Sequence, residues 1–279
     1  MLYVKAKEEA FTIHGRAVSK YNEEHQKMVQ KGNQLYRQRR DSVFLIHQIE
    51  LLVNSIANRP KEFETKITDF QAAREKFRKT EEYAAEALEA AVKAGSTIAA
   101  GVAGGVAVAG MAPTAAMWVA TTFGTASTGT AISSLSGTVA TKAALAWLGG
   151  GALSTGGAGI AGGKALLALA GPIGWGISGA ATTLSLALLG YKNKQIADEA
   201  IDEAKKITIA GAELNEASAK IQHLMDETVM LMDALRDTVE ANRPLSGANY
   251  LGLSRDEQVR LGTMVNNTLT LAQLLNKTI

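Results

Sequence analysis

Gly157-Ala158-Gly159-Ile160-Ala161-Gly162 matches the G-x-G-x-x-G spacing letter for letter. In a dinucleotide site such glycines let backbone approach a pyrophosphate at a helix N-terminus, and an acid ~20 residues later holds the ribose. Here no strand pattern precedes the hexapeptide, and no acid follows until Asp198. Gly162-Gly163-Lys164 similarly resembles the end of a phosphate loop, but Ala158 stands where the first glycine belongs and Ala165 where the magnesium-binding hydroxyl belongs. Both are the chance matches that glycine-rich sequence produces.

Other chemistry is equally sparse. His14, His25, His47 and His223 lie within amphipathic stretches, and none forms an i,i+4 metal pair. The carboxylates occur singly or as neighbours such as Glu81-Glu82 and Asp202-Glu203, which suits solvated helix faces and not paired acids in a cleft. The chain has no cysteine, which removes disulfides, Cys-ligated metals and thiol nucleophiles together. The residues therefore nominate no catalytic group, metal ligand or cofactor, and a non-enzymatic protein is expected.

The 279 residues carry 29 Lys+Arg against 27 Asp+Glu. A nucleic-acid binder concentrates its cations to displace counterions, whereas here acids interleave most basic runs and only Arg37, Arg39 and Arg40 cluster. No nucleic-acid partner is expected. The uneven placement of charge is more telling. Residues 1–90 hold 16 basic and 14 acidic side chains, and residues 191–279 hold 10 and 13, while the only charges within residues 94–191 are Lys142 and Lys164. Three regions follow: 1–93 and 192–279 as polar helical flanks, and 94–191 as an uncharged middle.

The flanks read as long amphipathic helices. Phe11, His14, Val18, Tyr21, His25, Met28, Gly32, Leu35, Arg39, Ser42, Ile46, Ile49, Val53 and Ile56 keep a 3-4 alternation, weakened in its middle by His25, Gly32, Arg39 and Ser42. Pro60 is expected to stop this helix. A second begins near Lys61 with Phe63, Ile67, Phe70, Ala73 and Phe77 on one face, and a third carries Ala200, Ala204, Ile207, Gly211, Leu214, Ser218, Ile221, Met225, Thr228, Met232, Leu235 and Val239 to an end near Pro244. Ser254 with Glu257 spells a capping box opening a short last helix with Val259, Met264, Leu271 and Leu274. No alternating strand pattern is present in either flank. The expected fold is all-α, an elongated bundle of long amphipathic helices flanking a central hydrophobic Gly/Ala-rich helical segment.

That segment is long enough to enter a membrane. Residues 165–191 are uncharged over 27 positions, ~40 Å of helix against a hydrocarbon core of roughly 30 Å. Gly171-Pro172 is the weak point, and Lys192 and Lys194 supply interfacial anchors at its end, as Lys93 does before the middle. A second arm, residues 94–123, is divided by Pro113 and carries Gly101-x-x-x-Gly105, the small-residue spacing that lets helices approach in lipid. Residues 121–141 hold eleven Ser or Thr, which requires hydroxyls bonded to backbone carbonyls or facing water. Residues 145–163 are too rich in glycine for a solitary stable helix. All three tryptophans, Trp118, Trp147 and Trp175, fall in the middle at intervals of 29 and 28, placing them either at a membrane interface or in a core. No secretory signal is visible at the start, and the apolar segment is internal.

Long amphipathic helices on both sides of an internal, uncharged, Gly/Ala-rich segment resemble the helical pore-forming toxins of the cytolysin A type. The texture of the middle also resembles the apolipoprotein L and colicin-like membrane-inserting domains. The resemblance covers the layout of the whole chain, and the middle here is longer than a short head hairpin. It implies an apolar segment sheltered in a soluble form, then exposed as a hairpin that enters the bilayer while several chains assemble a pore.

Solvent matching gives a concrete expectation. Arms around residues 96–123 and 165–190 insert, with Gly101, Gly105, Trp118, Trp147, Trp175, Ile177, Leu184, Leu186 and Leu188 in or at the bilayer. Oligomerisation turns Thr125, Thr128, Ser133, Ser136, Lys142 and Lys164 toward water, giving weak anion preference. The partners expected are a lipid bilayer, further copies of the chain and, as an open alternative, a second protein subunit. The competing readings are a permanently membrane-anchored coiled-coil scaffold or translocator without a pore, a soluble helical protein burying the middle as its own core, and an enzyme.

Overall fold

The computed structural model describes residues 2–93, 113–126, 128–148 and 193–279. These form helices α1 (Leu2–Ser55), α2 (Lys61–Lys93), α3 (Pro113–Phe123), α4 (Gly137–Leu148), α5 (Asn193–Asn242) and α6 (Arg255–Leu274), joined in places by single 3-10 turns. Among the described residues no strand forms; two isolated bridges, Ala57 with Asn249 and Thr125 with Ala131, are the only β-type pairings. The fold is all-helical, as the periodicities predict.

The long helices follow from their apolar spacing. In α1 the seam from Tyr21 through His25, Met28, Gly32, Leu35, Arg39, Ser42, Ile46, Ile49 and Val53 is buried throughout, and Ile56 just beyond the helix is buried with it. Residues three and four apart share a helix face, so one stripe of side chains leaves water together. In α5 the stripe from Ala200 to Leu235 behaves the same way, while Val239 is half-buried.

Pro60 does not stop α1. The helix ends at Ser55, Asn58 takes a left-handed backbone with φ 52°, and the Pro60 carbonyl accepts the Phe63 N–H at 2.9 Å as α2 opens. A proline lacks the N–H that the first turn of a helix leaves unused, so it fits a helix start better than an end. The connection is held by Ala57, whose N–H donates to the Ala248 carbonyl and whose carbonyl accepts the Tyr250 N–H, each at 2.9 Å.

The chain divides into two compact units. One comprises residues 34–82 and 220–279. It packs Leu35, Ile46, Ile49 and Val53 of α1, Phe63, Ile67, Phe70 and Phe77 of α2, Ile221, Met232 and Leu235 of α5, and Leu261, Met264, Val265 and Leu271 of α6 into its core. Buried charged groups inside it find partners. Glu50 is buried and accepts from Gln71 at 2.6 Å and Arg74 at 2.8 Å, so its charge is both paired and hydrogen-bonded. Arg39 donates to the Lys277 carbonyl at 2.5 Å, and burial pushes its guanidinium down to about 10, which leaves it charged at neutral pH.

Helix α6 opens on the predicted capping box: the Glu257 N–H donates to the Ser254 hydroxyl, and the Ser254 N–H donates to the Glu257 carboxylate at 2.8 Å. Its buried stripe runs Leu261, Met264, Val265, Thr268, Leu271 and Ala272. Val259 is 55% exposed, because it lies two positions from Leu261 and so on the opposite side of the helix.

The other unit comprises residues 1–33 and 83–219. Here α5 runs along α1, with Lys31 donating to the Ser218 carbonyl at 3.5 Å and His14 lying 3.3 Å from Glu203. Ala10, Ala197 and Ala200 form a small-residue cluster between the two helices, flanked by Phe11 and Ile201. Within this unit α3 and α4 pack against α1.

Candidate functional site

The described part of the uncharged middle begins at Pro113, the first residue of α3. This eleven-residue helix contains no charge, and Ala115, Met117, Trp118, Val119, Ala120, Thr121 and Phe123 are all buried. A helix that is apolar all round must be covered all round. The Thr121 hydroxyl survives burial by donating back to the Met117 carbonyl at 2.9 Å, the backbone solution expected of hydroxyls in this stretch.

After α3 the chain reverses in a small hairpin. The Ile132 N–H donates to the Gly124 carbonyl at 2.9 Å and the Ala126 N–H to the Thr130 carbonyl at 2.8 Å, with Gly129 at φ 80° in the turn. Alternation is too short here to be read as a strand, so the sequence pattern missed it. Ile132 is fully buried and fills space beside Gly124, where an added Cβ would lie 2.9 Å from Ile132 Cδ1 and 3.1 Å from the Trp147 ring. Helix α4 follows, burying Ala140, Ala144, Leu145 and Trp147.

Two positions on α1 seat this piece. At Gly32 the missing side chain is replaced by Val119: a Cβ there would stand 2.7 and 2.8 Å from the two Val119 methyls. Two turns earlier, the His25 ring meets Trp147 edge-on with centroids 4.9 Å apart and stacks on Tyr21 at 6.2 Å. Burial, partly offset by the Trp147 backbone beside the ring, holds the imidazole down to about 4, so it is neutral at pH 7. Its Nε2 is buried without a hydrogen-bond partner among the described residues. Burial also pushes the Tyr21 hydroxyl up to about 12. Two of the four residues that interrupt the apolar seam of α1, His25 and Gly32, are thus where the middle docks; the interruption was the available signal.

The predicted site residues divide by solvent. Trp118 and Trp147 are inside the protein, 1% and 3% exposed, with Trp118 packed edge-on against Phe123 at 5.6 Å. In this arrangement they fill a core, the alternative left open for them. Thr125, Thr128, Ser133, Ser136 and Lys142 are exposed to water on the hairpin and α4. Lys93, at the end of α2, is exposed and paired with Glu89 at 2.6 Å. Gly101, Gly105, Lys164, Trp175, Ile177, Leu184, Leu186, Leu188 and Lys192 lie outside the described residues, as do both glycine motifs at 157–164. Lys194 falls in the first turn of α5.

Among the described residues no helix is long and apolar enough to cross a membrane; α3 and α4, at 11 and 12 residues, fall short. Both proposed arms lie largely elsewhere, in residues 94–112 and 165–191. Among the described residues, too, no group of three His, Asp or Glu converges as a metal site would require. A groove of about 660 Å³ between α1 and α2 in the unit of residues 34–82 and 220–279 is lined by Phe44, Arg40, His47, Arg74, Arg78 and Glu81 among others. Its cations are already engaged, Arg74 with Glu50 at 2.8 Å, Arg40 with Glu81 at 3.8 Å and Arg78 with Glu75 at 2.6 Å. No known protein family, characterised protein or solved structure matches this chain.

Proposed function

We propose that the chain is a membrane-inserting helical protein that permeabilises a lipid bilayer through residues 95–191, several copies assembling around the Ser/Thr-rich stretch. The observation that carries this reading is the solvent mismatch of the middle: two charges in residues 94–191, with 27 successive uncharged residues at 165–191, between flanks that hold every other charge. Two of the contacts that seat α3 and α4 on α1 fall at Gly32 and His25, the small and polar breaks in its seam. Thr125, Thr128, Ser133, Ser136 and Lys142 are all exposed to water, and on this reading they line a wet wall after insertion.

Flotation combined with dye release on the purified chain tests this, because it measures binding and leakage separately. The protein is expected to float with phosphatidylcholine–phosphatidylglycerol vesicles and to release entrapped dye more steeply than in proportion to its concentration, as assembly requires. Flotation without leakage would replace the pore by a permanent anchor. Indifference to vesicles would leave a helical protein that keeps its middle as core.

A further inference from the structure

We propose that His25 is an acid-operated latch: protonating its buried ring unseats Trp147 and frees α4 from α1. This rests on the membrane-inserting reading for its purpose, though not for its physics. The geometry is that of a group with nowhere to put a charge. The ring is sandwiched between the Tyr21 face and the Trp147 edge, and Nε2 is buried and unpartnered among the described residues. The charged ring carries a proton on both nitrogens, so Nε2 becomes a buried donor with no acceptor among the described residues.

The surrounding elements offer no compensating anion. On α1 the contacting titratable group is Tyr21, held neutral by burial, and the adjacent Glu24 is already paired with Lys27 at 3.0 Å. Helix α3 carries no charged residue, and the one charge of α4, Lys142, is both exposed and of the wrong sign. On α5 Gly211, Leu214 and Ser218 are among the buried positions, while Glu213 and Glu216 are exposed. On α2 beyond Tyr83 the charged residues Glu86, Glu89 and Lys93 are exposed. No carboxylate contributes to the behaviour of the ring, which is governed by burial, partly offset by the Trp147 backbone beside it.

The sign follows by linkage. A histidine whose value is lowered in the closed form binds its proton more tightly when opened, so closure is fully stable above the free value of 6.5 and weakens as pH falls toward about 4. Between about pH 7.5 and about pH 5 the opening equilibrium of α4 is expected to rise roughly 30-fold. Buried histidines that must become charged are a general route to acid release.

The test uses the full chain with and without lipid. Hydrogen exchange of the α4 amides, corrected for intrinsic rates, is followed from about pH 7.5 to about pH 5 in wild type, His25→Gln and His25→Phe. His25→Phe keeps an aromatic edge for Trp147 and cannot protonate. The latch predicts the roughly 30-fold loss of protection in wild type alone. The same pH profile in all three overturns it. Should both variants fold poorly, the imidazole NMR titration of the wild type decides: a midpoint near 4 supports the latch and one at the ordinary 6.5 refutes it. In parallel, flotation with phosphatidylcholine–phosphatidylglycerol vesicles is measured at both pH values. Acid opening of α4 without vesicle binding upholds the latch and removes the membrane reading; vesicle binding with a His25-independent profile does the reverse.

Discussion

Ile177→Asp with Leu186→Asp abolishes dye release while the unit of residues 34–82 and 220–279 keeps its stability. Each carboxylate placed near the middle of a spanning segment costs roughly 2.5–3.5 kcal/mol of insertion free energy. The pair therefore removes about 5–7 kcal/mol, more than three orders of magnitude in partition between water and bilayer. Both substitutions fall in the 27-residue uncharged stretch and far in sequence from Glu50, Arg74 and the other polar links that hold that unit. Flotation and leakage are measured on the same preparations, with hydrogen exchange in α6 as the stability control. Unchanged leakage in the double variant would show that residues 165–190 are not the inserting arm.

Trp118→Ala has the opposite sign in lipid. Trp118 is 1% exposed, and replacing a buried tryptophan by alanine costs about 3–5 kcal/mol, through lost transfer energy and the cavity left behind. Because the chain holds two compact units, the loss is read locally, as weaker amide protection in α3 and in α1 near Gly32, and not as a single global midpoint. If the packing of α3 is a shelter, weakening it by even 3 kcal/mol raises the open fraction by about two orders of magnitude, so the initial rate of vesicle association increases. A protein that keeps its middle as core loses protection equally and gains nothing in lipid. The two variants together separate shelter from insertion.

The flanks were legible because their signal is redundant. A stripe running from Tyr21 to Ile56 contains enough apolar residues that single polar members do not obscure the period, and the Ser254–Glu257 box marks a helix start by hydrogen bonds between near neighbours. Pro60 was misread because proline is compatible with either side of a helix boundary, and only the turn at Asn58 decides which. Val259 was misplaced because five residues separate it from Met264, a spacing that leaves the helix face.

The docking of the middle was only half visible. His25 and Gly32 were recognised as breaks in a seam, but a sequence period reports which face of a helix is apolar and carries nothing about which distant segment fills a gap in it. Val119 on Gly32 and Trp147 on His25 are pairings between positions more than eighty residues apart, set by side-chain shape and ring geometry. The buried Glu50–Arg74 pair was missed for a related reason: Glu50 sits beside the apolar stripe, where its cation is supplied by α2. The tryptophans could be placed in the middle region but not assigned to core or interface, because apolar surface is equally at home in protein and in lipid.

The central claim is that residues 165–190 leave the protein for hydrocarbon. With no native cysteine, Ile177→Cys gives a single attachment point for an environment-sensitive fluorophore. The labelled chain is mixed with phosphatidylcholine–phosphatidylglycerol vesicles carrying quenchers at the headgroup or deep in the acyl chains. A blue-shifted emission quenched by the deep probe and spared by the headgroup probe is the predicted result. Emission unchanged by vesicles, with neither quencher effective, contradicts the account.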